Sequence, residues 1–119
     1  MPSRRLSQST VNLSEFGLPW TANFDEPRGD RRDGAWNPYR VGTVKLAADA
    51  LIAGQDRVKR QDIANYVRSY AQRKGRGVKS IIVIEQRDGR LVVFDGHHRL
   101  AAQLLLGKTR IPAILYTLA

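Results

Sequence analysis

The sequence predicts an α+β (mixed α/β) fold: a small mixed or antiparallel sheet with two main helices, preceded by an irregular N-terminal arm. Three observations carry this prediction. β-branched residues crowd positions 80–85 and 90–94, with an Asp88-Gly89 turn signal between them. Ile63, Tyr66, Val67, Tyr70 and Ala71 recur at the spacing of one helical face. Positions 100–106 are rich in strong helix formers and end at Gly107.

Along the chain, residues 1–42 form the arm. They combine Ser, Asn, Asp, Gly and Pro with an Arg-Gly-Asp-Arg-Arg-Asp-Gly stretch at 28–34, which is loop composition. Phe16, Trp20, Phe24, Trp36 and Tyr39 also lie here, and a purely solvating tail seldom holds so many aromatics. The arm is therefore expected to dock, either as a strap over its own core or onto a protein partner, because aromatic side chains anchor interfaces. Residues 9 or 10 to 16 suit one or two helical turns ended by Gly17.

A compact domain is expected over residues 43–119. Val44 and Leu46 alternate with Lys45 as in a short strand, and a turn at 47–49 precedes the apolar pair Leu51-Ile52. The first main helix is predicted over residues 59–74, stopped by Gly75. Two paired strands follow at 80–85 and 90–94, then a short buried helix over 100–106. A last strand covers 111–118, with Pro112 near its start, where a missing amide donor is tolerable.

Composition narrows the function classes. The 119 residues match one domain, and the absence of cysteine removes disulfides, thiolate zinc sites and cysteine nucleophiles. The longest apolar stretch, broken by Gln103, is far short of the roughly 20 residues that cross a bilayer. With no apolar run after Arg4 and Arg5 to suggest a secretory signal, a cytoplasmic protein with no membrane partner is expected. The net charge of +9 is concentrated between Arg57 and Lys79, where eight basic residues face the single acid Asp62. Such a block is either a solvated helix face or a contact for DNA, with Arg68, Arg73, Lys74 and Arg76 the candidate phosphate partners.

The chemistry-bearing stretch is Asp95-Gly96-His97-His98-Arg99, set between a strand and a helix. A helix N-terminus offers unpaired backbone N–H groups and the positive end of the dipole, so it is a ready anion site. Gly96 permits a tight turn and close approach of a ligand, while His98 and Arg99 can add donors at its mouth. Asp95 suits a magnesium ligand or a proton acceptor; its structural alternative is a helix cap. His97 can contact phosphate or point inward. Zinc held by the two histidines is disfavoured, because adjacent helical residues diverge and further ligands are not evident.

Asp95-Gly96-His97-His98-Arg99-Leu100-Ala101-Ala102, followed by Leu106-Gly107 and Ile111-Pro112-Ala113, resembles the ParB/sulfiredoxin-like superfamily over residues 43–118. The resemblance implies a nucleoside triphosphate, ATP or CTP, with magnesium, bound by Gly96, His97, His98 and Arg99. Gln55 lines the opposite side, and Asp95 and Asp56 are the candidate catalytic carboxylates. It also implies a ParB-like protein of phage or plasmid type acting on or near DNA, with NTP hydrolysis a candidate activity. Two alternatives accompany it: a small-molecule phosphotransferase resembling free serine kinase, and a non-enzymatic inhibitor or adaptor that binds a protein through residues 1–42. Departures from the family pattern matter. The catalytic cysteine of sulfiredoxin corresponds to His97, which excludes that chemistry. Gln55-Asp56 stands where serine kinases carry a glutamate base, and no chain remains for the DNA-binding and dimerisation modules of ParB proper.

Overall fold

The computed structural model describes residues 9–72 and 78–118. Strands β1 (Thr10–Asn12), β2 (Arg40–Ala47), β3 (Leu51–Ala53), β4 (Arg57–Lys59), β5 (Ile81–Glu85), β6 (Leu91–Asp95) and β7 (Arg110–Thr117) accompany helices α1 (Arg60–Gln72) and α2 (His97–Leu105). Five strands form one mixed sheet in the order β2-β7-β5-β6-β3, and β1 pairs with β4 in a separate ribbon. β2–β7 and β5–β6 are antiparallel, whereas β5–β7 and β3–β6 are parallel.

The position of β5 explains its composition. It is the central strand, and Ile81, Ile82, Val83 and Ile84 are all buried, so both faces of the strand meet protein and alternation gives way to a continuous β-branched run. On one face Ile81 and Val83 join Leu51, Val93, Ile111 and Ala113 under Leu100, Ala101 and Ala102 of α2 and Ile63 and Tyr70 of α1. On the other, Ile82 and Ile84 join Tyr116, Leu118 and Trp36. The turn between β5 and β6 closes at Gly89, whose N–H donates to the Gln86 carbonyl.

The arm supplies much of this packing. Val11, Leu13 and Leu18 enter the helix-side core. Trp36 is 2% exposed and packs edge-on against Phe94 and Tyr116, with ring centroids 4.9 and 5.3 Å away. Buried Gln86 holds the segment between them like a strand partner: its Oε1 accepts from the Asp25 N–H at 2.7 Å, and its Nε2 donates to the Asp25 carbonyl at 2.9 Å. Phe16 and Phe24 are half-buried, while Trp20 and Tyr39 stay exposed.

Several local expectations are modified. The helical turn predicted to follow residue 9 or 10 is a short strand, β1, then a 3-10 turn over Leu13–Phe16, with Gly17 in the left-handed conformation after it. Helix α1 starts at Arg60, and the stop expected at Gly75 lies outside the described residues. Ala71, placed on the apolar face by its spacing, is exposed. Helix α2 begins at His97, three residues before the run of strong helix formers.

Candidate functional site

Strand β6, between β5 and β3, ends at Asp95, and Gly96 turns the chain into α2 with φ +93°. Only glycine fits there: a Cβ would sit 2.8 Å from Ile81 Cγ2, in a conformation that L side chains rarely adopt. The Asp95 carboxylate does not cap the helix. Its Oδ1 accepts from the Gly96 N–H at 2.8 Å, and among the described residues no side chain caps α2, whose cap position is Gly96. The opening amides of the helix, at His97, His98 and Arg99, therefore keep the unpaired donors that every helix start has.

The two histidines turn in different directions. His97 points inward, 4% exposed, and its Nε2 accepts from the Gly54 N–H at 3.0 Å. Burial pushes its pKa down to about 4, against the raising effects of the Asp95 carboxylate and a backbone hydrogen bond with Val93; His98 adds a further lowering. His97 is thus a neutral bolt between α2 and the turn after β3. Gly54 is a close approach in its own right, since a Cβ there would meet the Val93 carbonyl oxygen at 2.4 Å. The half-buried His98 lies over the start of α1: its Nε2 accepts from the Lys59 N–H at 3.1 Å and stands 3.7 Å from Asp62 Oδ2. Arg99 projects from the next position, with its guanidinium 5.9 Å from the centroid of the Tyr66 ring.

These contacts bring the starts of α1 and α2 together. A cleft of about 470 Å³ opens beside them, lined by Asp62, Asn65, Tyr66, Ser69 and His98. The turn holding Gln55 and Asp56 follows directly on Gly54 and so lies next to the same helix start. Gln55 Nε2 donates to the Arg57 carbonyl at 2.7 Å, and the Asp56 carbonyl accepts from the Leu13 N–H at 2.8 Å. Asp95 is exposed on the other side, with Oδ2 3.8 Å from Arg31 Nη2 of the arm. For magnesium, Asp95 offers one carboxylate oxygen, Oδ2, because Oδ1 is engaged by Gly96. Among the described residues no group of three or more His, Asp or Glu gathers that could hold a metal ion.

The basic block is partly in view. Arg57, Lys59, Arg60, Arg68 and Lys79 are exposed, and Arg68 rims an apolar groove with Val67 and Leu105. Arg73, Lys74 and Arg76 lie outside the described residues. Sequence reasoning missed Gly54, Asp62 and Arg31 as neighbours of the loop and took Tyr66 only as a core residue. A glycine closing the apolar run Leu51-Ile52-Ala53 is a signal that could have flagged Gly54; Arg31, in a loop of mixed charge, gave none.

No family model and no curated protein matches the chain. Solved structures do. A C-terminally truncated chromosome-partitioning protein ParB from Caulobacter crescentus, complexed with CTP-gamma-S, superposes with a TM-score of 0.53 at 19% identity, over 66% of this chain and 46% of that one. A free serine kinase in complex with AMP gives 0.54 at 22% identity, over 64% of this chain and 31% of its own. The fold is ParB/sulfiredoxin-like. A conserved hypothetical protein from Pyrococcus furiosus is similar to it too, with a TM-score of 0.55 at 21% identity over 66% of this chain and 33% of that one. The chain spans less than half the length of each of these proteins. What the ParB/sulfiredoxin-like fold contributes is the strand-turn-helix frame that sets the 95–99 loop against the start of α1.

Proposed function

We propose that this protein binds a nucleoside triphosphate, ATP or CTP, with magnesium at the 95–99 loop. In this reading it is a ParB-like protein of phage or plasmid type that hydrolyses the nucleotide on or near DNA. The observation that carries the proposal is the uncapped start of α2: the side chain best placed to cap it, Asp95, turns back onto Gly96 instead. The amides of residues 97–99 stand at the positive end of the helix dipole, where a phosphate group is favoured. His98 and Arg99 flank them as further donors, and His97 fixes the loop rather than the ligand. Asp95 Oδ2 would hold magnesium or accept a proton, and Gln55 and Asp56 would close the opposite side. Magnesium would offset phosphate charge beside Asp95. The nucleotides in the ParB and serine kinase structures support the reading.

The exposed basic residues of the 57–79 block support action on DNA, with Arg68, Arg73, Lys74 and Arg76 as phosphate partners. A second reading, a non-enzymatic adaptor that grips a protein through residues 1–42, is favoured by one observation. Trp20 is 47% and Tyr39 39% exposed, although the rest of the arm's aromatics are engaged in packing.

The test is a calorimetric titration with ATP and with CTP, each with and without magnesium, followed by phosphate release with and without duplex DNA. Saturable magnesium-dependent binding is expected. No binding of either nucleotide at millimolar concentration defeats the proposal and advances the adaptor.

A further inference from the structure

A second cavity lies on the far side of Asp95 from α1. It measures about 480 Å³ and is lined by Glu26, Arg31 and Arg32 of the arm, by the rings of Trp36 and Phe94, and by Asp95 itself. This is within the size range of pockets that take small organic molecules, and several times what an inorganic anion fills. Arg31 is the unusual member. Its Nε–H is sealed from water and has no hydrogen-bond partner, the one such buried side-chain nitrogen or oxygen among the described residues. Its Nη2 reaches Asp95 Oδ2 only at 3.8 Å, beyond hydrogen-bond distance. Because the Nε–H is sealed, it lies out of a ligand's reach as well, and what Arg31 offers the cavity is its pair of Nη groups, a planar fork that an oxyanion satisfies bidentately.

The rest of the lining selects among anions. Asp30, also on the wall, is occupied, with Oδ1 accepting from the Arg32 N–H at 2.8 Å. Glu26 and Asp95 are exposed acceptors facing the same space, so a simple polyanion meets repulsion as well as attraction. Donor groups on the ligand would turn both carboxylates into partners, and an apolar stem could lie over Phe94.

We propose that this cavity is a binding site for a small organic anion that carries one oxyanion group, received by the Arg31 fork, and a hydroxyl or ammonium donor directed to Asp95 or Glu26. The site is built by the arm and is separate from the α2 amides; Asp95 is the one residue it shares with the proposed nucleotide site.

The experiment uses the full chain and nuclear magnetic resonance, following the Arg31 Nε–H and the Trp36 indole N–H, whose donor is anchored to the Gly29 carbonyl at 3.0 Å. The probes are L-lactate, which has one carboxylate and one hydroxyl, inorganic phosphate, which lacks the stem, and glycerol, which lacks the charge. Lactate is expected to shift both resonances saturably, with at least tenfold lower affinity in Arg31→Gln and in the charge-conserving Arg31→Lys, which loses the fork. An unmoved Trp36 signal in the unliganded variants shows that the arm stays docked. If it moves, the decision passes to the wild-type probes. The proposal is overturned if none of the three shifts the Arg31 resonance, if glycerol shifts it as much as lactate does, or if lactate perturbs only the amides of residues 97–99. Nucleotide titration of Arg31→Gln separates the two sites: unchanged ATP and CTP affinity is expected, and loss of nucleotide and lactate binding together would merge them and overturn the separate cavity.

Discussion

His97 Nε2 accepts a hydrogen bond from the Gly54 N–H at 3.0 Å, joining the first residue of α2 to the turn after β3. An acceptor at that nitrogen must be unprotonated, so the contact exists only with neutral imidazole.

Stability should follow from this. Unfolded, His97 takes up a proton near the ordinary value of 6.5; folded, burial keeps it neutral down to about 4. Between those values the unfolded chain binds more protons, so the stabilising contribution is complete above pH 6.5 and is lost as pH falls towards 4. The loss is on the order of 3 kcal/mol. Urea midpoints measured across this range should fall with pH in the wild type and much less in His97→Gln; equal slopes would remove His97 as the cause.

Gly96→Ala should lower stability by about 1–3 kcal/mol, the usual cost of forcing a side chain into strained backbone, with the contact against Ile81 adding to it. Chemical denaturation reads this directly. A neutral result would mean that the turn can relax away from β5.

Arg99→Ala should weaken nucleotide binding by about 1.5–3 kcal/mol, the loss of a charge-assisted hydrogen bond, while leaving the fold intact. Titration calorimetry on the folded variant is the measurement. Wild-type affinity would take Arg99 out of the site.

Asp95→Asn should spare nucleotide binding more than turnover. The carboxamide oxygen can still accept from the Gly96 N–H, but the charge needed for magnesium or for taking a proton is gone. Parallel losses in affinity and phosphate release would instead indicate that the carboxylate only shapes the turn.

Duplex DNA binding should weaken linearly with the logarithm of salt concentration, by about one unit of slope per phosphate neutralised. Replacing Arg68, Arg73, Lys74 and Arg76 with glutamine should flatten that slope without changing nucleotide affinity. Absence of DNA binding at low salt, with and without nucleotide, would leave the basic block as a solvated surface.

The parts of the fold legible in the sequence are those with a local cause. The β5–β6 hairpin announces itself through consecutive β-branched residues around Asp88-Gly89, and α1 through the spacing of Ile63, Tyr66, Val67 and Tyr70. β3 and β4 are three residues each, too short to show a period, and their partners β6 and β1 are remote in sequence. The run of helix formers put the body of α2 three residues late, because His-His-Arg lacks the helix propensity of the residues after it, while the turn chemistry of Gly96 was readable. Of the candidate site, the loop 95–99 was legible as a helix start. The bolt from His97 to Gly54 and the approach of Arg31 to Asp95 were not, because both depend on segments brought together only by the sheet.

Trp36 packs against Tyr116 and shares its cluster with Leu118, so an early part of the chain completes its packing on a late one. During synthesis the indole emerges from the ribosome well before the strand that will cover it, and for that interval an aromatic anchor and the arm around it have no site to occupy. Such long-range closure makes folding slow relative to helix formation. Burial of the indole is then among the last events of folding, and after rapid dilution from denaturant the fluorescence of Trp36, isolated in a Trp20→Phe variant, should lag behind the helical signal of α1 and α2.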